Sequence, residues 1–135
     1  MPHIELTTEL SNISEQDLDG FFVGWPNKPT PKAHLQQLQG SSRAIIARET
    51  GTARIIGVIT ALTDDVLLGY ISSLEVLPEY QGQGIGKDLV SAMLEQLKHV
   101  YAIDLVCDPD VQPFYAKTGL IPYHSMIARR RENIV

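Results

Sequence analysis

Cysteine is nearly missing from this chain: Cys107 stands alone among 135 residues. One thiol excludes an internal disulfide and a cysteine-built metal cluster, and it fits a reducing compartment, so cytoplasmic residence is expected. A surplus of positive charge is missing too. The 11 Lys and Arg against 16 Asp and Glu leave a net charge of -5, which argues against a phosphate backbone as partner, and no nucleic acid is expected. The one basic cluster, Arg129, Arg130 and Arg131, reads as a solvated strand end or tail. No stretch approaches the roughly 18 apolar residues of a membrane span. The start of the chain, with His3 and Glu5, carries no apolar run of the kind a signal peptide needs. Histidine is sparse and scattered: His34 and His99 are expected on exposed helix faces, and His3 and His124 near strand ends. Such spacing does not converge on a metal, and none is expected.

What is present is a 44% apolar chain, long enough for one core and too short for two ordinary domains, so a single domain over residues 1–135 is expected. Residues 3–7 alternate as a short strand does. Ser14 with Asp17 forms a capping-box pattern ahead of Leu18, Phe21 and Phe22, predicting a helix with an apolar face. The prolines Pro26, Pro29 and Pro31 make residues 24–31 a loop, and Thr30-Pro31 opens a second helix that ends at Gly40. Strands follow over residues 43–49, 54–62 and 67–77, divided by short polar turns that predict antiparallel hairpins. Ile85, Leu89, Met93 and Leu97 repeat every four residues as one buried helical stripe. A strand over residues 103–107, a short helix over 111–118 closed by Gly119, and a last strand over 126–130 complete the pattern.

The densest signal lies between the third hairpin strand and the long helix, where residues 76–87 read V-L-P-E-Y-Q-G-Q-G-I-G-K. Glycines at 82, 84 and 86 let the backbone turn tightly and approach a ligand, while the free N–H groups of the first helical turn point at it. A dinucleotide loop, G-x-G-x-x-G counted from Gly82, meets Lys87 where the third glycine belongs. A P-loop would need glycine at Gln81 and Ser or Thr at Asp88. The remaining pattern, Q-x-x-G-x-G from Gln81 to Gly86, resembles the acetyl-coenzyme A loop of the GNAT superfamily of N-acetyltransferases. The flanks are similar to that family as well. Residues 71–78 look like its central strand and proline exit, and Phe114-Tyr115-Ala116-Lys117-Thr118-Gly119-Leu120 resembles its F-Y-x-K-x-G-F segment, with Leu120 for the last Phe.

The resemblance implies an α/β (α+β) fold: a mixed, mostly antiparallel sheet of about six strands with four helices, its central strands splayed where acetyl-CoA lies. It implies an acyltransferase that takes acetyl-CoA as co-substrate, bound by Leu74, Val76, Gln81, Gly82, Gln83, Gly84, Ile85, Gly86 and Lys87. The backbone N–H of Val76 would receive the thioester oxygen as it turns negative, and Tyr115 would protonate the departing thiolate. A bulge near residues 76–78 is expected to free that backbone donor. As residue types, Tyr115 equally suits a core tyrosine, and Phe22 and Trp25 suit either a loop cluster or the wall of an acceptor site.

The general base is the open position. Relatives carry Glu or His four or six residues before the Val76 position, where this chain has Ser72 and Tyr70. Ser72 can orient a water, and Glu75 is a nearby carboxylate; strict strand alternation puts Glu75 on the face opposite Ser72, where a structural hydrogen bond is as good a reading as base work. Three functions therefore remain in view: a small-molecule amine N-acetyltransferase, a non-catalytic acyl-CoA sensor or interaction module, and an acetyltransferase of protein N-termini or lysines. A homodimer is plausible because the last strand leaves an edge unpaired.

Overall fold

The computed structural model describes residues 3–135. Five strands form a single sheet in sequence order: β1 (Ile4–Thr7), β2 (Arg43–Glu49), β3 (Ile55–Thr63), β4 (Leu68–Val76) and β5 (Ala102–Asp104). β1 to β4 pair antiparallel, because short turns join β2, β3 and β4; β5 joins parallel to β4 after a helical crossover. β3 is buried without a break from Ile55 to Ala61, the pattern of a strand covered on both faces.

The helices are α1 (Pro31–Gly40), α2 (Ile85–Gln96) and α3 (Gln112–Ala116). α1 begins where the chain dictates: the Thr30 hydroxyl accepts from Ala33 N–H at 3.1 Å and Pro31 holds the first helical position. α2 lies across β2, β3 and β4 and buries Ile85, Leu89, Val90 and Met93, followed by Leu97. The stripe read from the sequence is thus the helix's core face.

Three expectations are corrected. The segment after Ser14 is one turn of 3-10 helix, Glu15–Leu18, and not a full amphipathic helix. Its start is as predicted, with Ser14 N–H donating to Asp17 Oδ2 at 2.9 Å. It stops because Gly20 (φ 91°), Phe22 (φ 61°) and Gly24 (φ 89°) all take left-handed backbone, which turns Phe21 and Phe22 into the core as a loop. Residues 126–130 form no strand, and among the described residues there are five strands in the sheet and three α-helices. A strand exists only where a neighbour accepts its backbone, and this segment pairs with none among the described residues. The strand expected over residues 103–107 ends at Asp104 for the same reason.

Candidate active site

β5 ends early, and that opens the sheet. Its pairing with β4 runs only from Leu68↔Ala102 to Tyr70↔Asp104, so Ile71 to Val76 have β3 on one edge and no strand on the other. Leu77 N–H donates to Ile56 C=O at 2.9 Å across the β3 ladder, opposite which Val76 pairs with Gly57. In an antiparallel ladder neighbouring residues point their amides to opposite edges, so the N–H of Val76, and with it that of Leu74, faces the gap. The expected bulge near residues 76–78 is therefore corrected. β4 stays in register with β3 through Val76, and the donor is free because β5 has gone.

The bulge sits four residues earlier. Thr60 pairs with Ser73 while Ala61 pairs with Ile71, leaving Ser72 as the extra residue. Both serine hydroxyls lie 2.7 Å from the same Thr60 Oγ1, which no strict alternation allows. The slip also overturns the expectation that Ser72 and Glu75 face apart: they line one cavity of about 420 Å³. Ser72 hydrogen-bonds Thr60 and borders that cavity.

Glu75 is half-buried there, its Oε1 accepting from Phe22 N–H at 3.1 Å. Burial raises its pKa above the ordinary carboxylate value, and the Phe22 hydrogen bond opposes that in part. Tyr115, on α3, lines the same cavity, half-buried; burial, then the neighbouring Cys107 and Glu75, raise its pKa and keep the phenol protonated. Phe22 is buried and Trp25 is 48% exposed at the rim, their rings edge to face at 5.0 Å. The cavity is completed by Leu105 and Val106 beyond β5 and by Asn133, Ile134 and Val135, the last held by Thr30 N–H donating to its carbonyl at 2.9 Å.

His34 was expected on an exposed face and is instead buried at 1% exposure on the cavity wall. It stands one helical turn before buried Leu38, and that i, i+4 spacing was the available signal. Its ring meets Phe22 at 4.7 Å and Phe21 at 5.4 Å, and neither ring nitrogen has a hydrogen-bond partner among the described residues. Burial lowers its pKa to about 4, so it is neutral at pH 7.

At the far end of the gap lies the glycine loop. Gly82 (φ 79°) and Gly84 (φ 85°) take left-handed backbone, with open space where a Cβ would stand. Gly84 caps α2, and no side chain caps the first turn, so its amides are free to meet an anion. Ile85 sends its side chain into the core and offers only its backbone, while Gln83 and Lys87 are exposed. A Cβ on Gly86 would lie 3.3 Å from the Phe114 ring, so glycine there lets α2 and α3 close together. Gln81 departs from a purely ligand-facing role: its Nε2 donates to Val76 C=O at 2.9 Å and pins the loop to the open edge of β4. A loop with free amides therefore adjoins a strand edge with free amides, and the half-buried Glu75 and Tyr115 share the cavity beside that edge.

The family model for the "Acetyltransferase (GNAT) family" matches residues 10–120. The chain belongs to the GNAT family of acetyltransferases. A crystal structure assigned as an acetyltransferase, from Deinococcus radiodurans R1, superposes with a TM-score of 0.92 at 37% identity, covering 96% of this chain and 90% of that one. An uncharacterised N-acetyltransferase, ycf52, of Pyropia yezoensis is 31% identical over 103 residues, 73% of this chain and 59% of the relative. The chloroplastic GCN5-related N-acetyltransferase 2 of Arabidopsis thaliana is 32% identical over 128 residues, 79% of this chain and 50% of the relative. The chain thus spans between half and three fifths of these curated relatives. No helix among the described residues of this GNAT chain is long and apolar enough to cross a membrane.

Proposed function

We propose that this GNAT domain, as a single unit over residues 1–135, moves acetyl from acetyl-CoA to the primary amine of a small molecule by direct attack. The observation that carries the reading is the open edge of β4, with the uncapped turn at Gly84 tied to it through Gln81 and, on the same strand, Glu75 lining one cavity with Tyr115. In this reading the amides of residues 82–87 take the pyrophosphate, and the Leu74 and Val76 edge of β4 takes the pantetheine arm as an added strand would.

The protons balance on two residues. Glu75 accepts one proton from the acceptor ammonium, through a water where needed, and a carboxyl whose pKa is raised is the better base for it. The amine nitrogen then attacks the thioester carbon, and the new oxyanion is received by Val76 N–H, a donor already in place before charge develops. As the C–S bond breaks, Tyr115 gives its phenolic proton to the sulfur and regains one from the new amide nitrogen. Phe22, Trp25 and His34 surround the acceptor's body, which favours an amine with an apolar or aromatic frame. No metal takes part in this scheme, and with one cysteine the fitting compartment is the reducing cytoplasm.

Incubation with acetyl-CoA and an amine panel, followed by release of free thiol and by product mass, tests the reading. Thiol release that depends on the amine supports it. CoA binding without turnover on any amine supports instead the non-catalytic module, which the non-basic Tyr70 and Ser72 on β4 favour. Turnover confined to peptides supports the protein acetyltransferase.

A further inference from the structure

Thr60 is fully buried in β3, and the hydroxyls of Ser72 and Ser73 both lie 2.7 Å from its Oγ1. A hydroxyl carries one proton and two lone pairs. If both serines donated to Thr60, its own proton would be stranded away from water at the full cost of desolvation, so Thr60 accepts from one serine and donates to the other. The receiving serine keeps its proton unspent and the giving serine keeps its lone pairs. Neither hydroxyl makes a further hydrogen bond among the described residues. Both serines line the cavity of about 420 Å³ that holds Glu75 and Tyr115, so the β4 bulge presents there one free donor and one free acceptor on adjacent residues.

A second element has polar capacity to spare. His34, on α1, lines the same cavity at 1% exposure, with neither ring nitrogen partnered among the described residues. Buried polar groups in folded proteins are nearly always hydrogen-bonded, so groups left over on two elements around one cavity point to a polar group that arrives with a ligand. The charge of that group is constrained as well. Among the described residues no lysine or arginine lines the cavity, Glu75 does, and burial keeps His34 neutral at pH 7. A carboxylate or phosphate on the ligand would lie there without a counter-ion, which is costly in a half-buried site.

We propose that Ser72 and Ser73, oriented by Thr60, read a neutral oxygen on the acceptor, so that the substrate is a primary amine bearing a hydroxyl or primary amide and no acidic group. The inference rests on the proposed function in taking this cavity as the acceptor's seat. A hydroxyl or a primary amide accepts the free proton of one serine and returns one of its own to the other. An ether or an ester can do only half of this.

Calorimetry of matched amines with the CoA-saturated chain tests the proposal whether or not acetyl is transferred, so failure of the chemistry and failure of this inference give different results. The probes share a phenylethylamine frame: the bare amine, its forms hydroxylated on the side chain or on the ring, and phenylalanine as the form with a carboxylate. At least one hydroxylated form should bind about tenfold or more tightly than the bare amine, and phenylalanine more weakly than either. In Ser72→Ala with Ser73→Ala that preference should shrink to about twofold or less. Because this variant strands the Thr60 hydroxyl, a second one adds Thr60→Val, and circular dichroism should show it folded with the preference equally lost. Equal binding of hydroxylated and bare amines overturns the proposal, as does tighter binding of phenylalanine, a preference that survives in both variants, or no binding by any member of the panel.

Discussion

The carboxylate of Glu75 and the backbone N–H of Phe22 meet at 3.1 Å across 53 residues of chain. Phe22 reaches that point because its own backbone is left-handed (φ 61°), an uncommon state for an aromatic residue, and one that surrounding structure must hold in place. The same residue thus aims the proposed base through its amide and lines the cavity beside it.

Glu75→Gln keeps an acceptor for Phe22 and removes the base. Turnover should fall by about a hundredfold or more with CoA affinity unchanged. In the parent enzyme the rate should rise with pH as Glu75 ionises, at a pH above the ordinary carboxylate range because burial raises its pKa. Turnover within twofold of the parent would leave Glu75 a purely structural acceptor.

Tyr115→Phe should keep the edge-to-face contact with Phe114, whose ring centroid lies 4.9 Å away, and lose only the hydroxyl. We expect turnover to drop about a hundredfold while calorimetry shows CoA binding unaltered. Unchanged turnover removes Tyr115 from the proton path.

A Cβ at Gly84 meets no neighbour within 4 Å, so Gly84→Val is disfavoured chiefly by the backbone conformation (φ 85°). That amounts to about 1–2 kcal/mol, small enough for the domain to stay folded. Once the turn is distorted the free amides no longer converge, and the stabilisation by CoA in a thermal-shift assay should vanish. A full CoA-induced shift in the folded variant would place the pyrophosphate elsewhere.

His34 makes stability depend on pH. Its folded pKa of about 4 lies below the unfolded value of 6.5, so the unfolded chain binds the extra proton between those two values. Stability is therefore full above pH 6.5, declines as pH falls toward 4, and changes no further from this group below that. The whole window is worth up to about 3 kcal/mol. Urea unfolding at pH 7 and pH 4.5 should show the loss in the parent and a smaller one in His34→Phe. Equal losses in both would assign the pH dependence to other groups.

Local chemistry was legible wherever a few consecutive residues decide the backbone. Thr30, Pro31 and Gly40 bounded α1, the four-residue repeat from Ile85 defined the buried face of α2, and the glycines at 82 and 84 took the positive φ their spacing called for. Features that depend on a partner distant in sequence were not legible. The Ser72 bulge exists only against Thr60, and it reversed the face on which Glu75 was expected. His34 is buried because Phe21 and Phe22 fold over it, and residues 126–130 stay unpaired because no strand of their own chain comes beside them.

The sequence by itself determined the glycine turn ahead of α2 and the family, since glycine spacing, caps and apolar periodicity act over one or two turns of chain. Only the tertiary structure decided which groups share the cavity beside β4. Strand register, the early end of β5 and the burial of a neutral histidine are set by contacts between residues far apart in the chain, and a list of residues does not contain those distances.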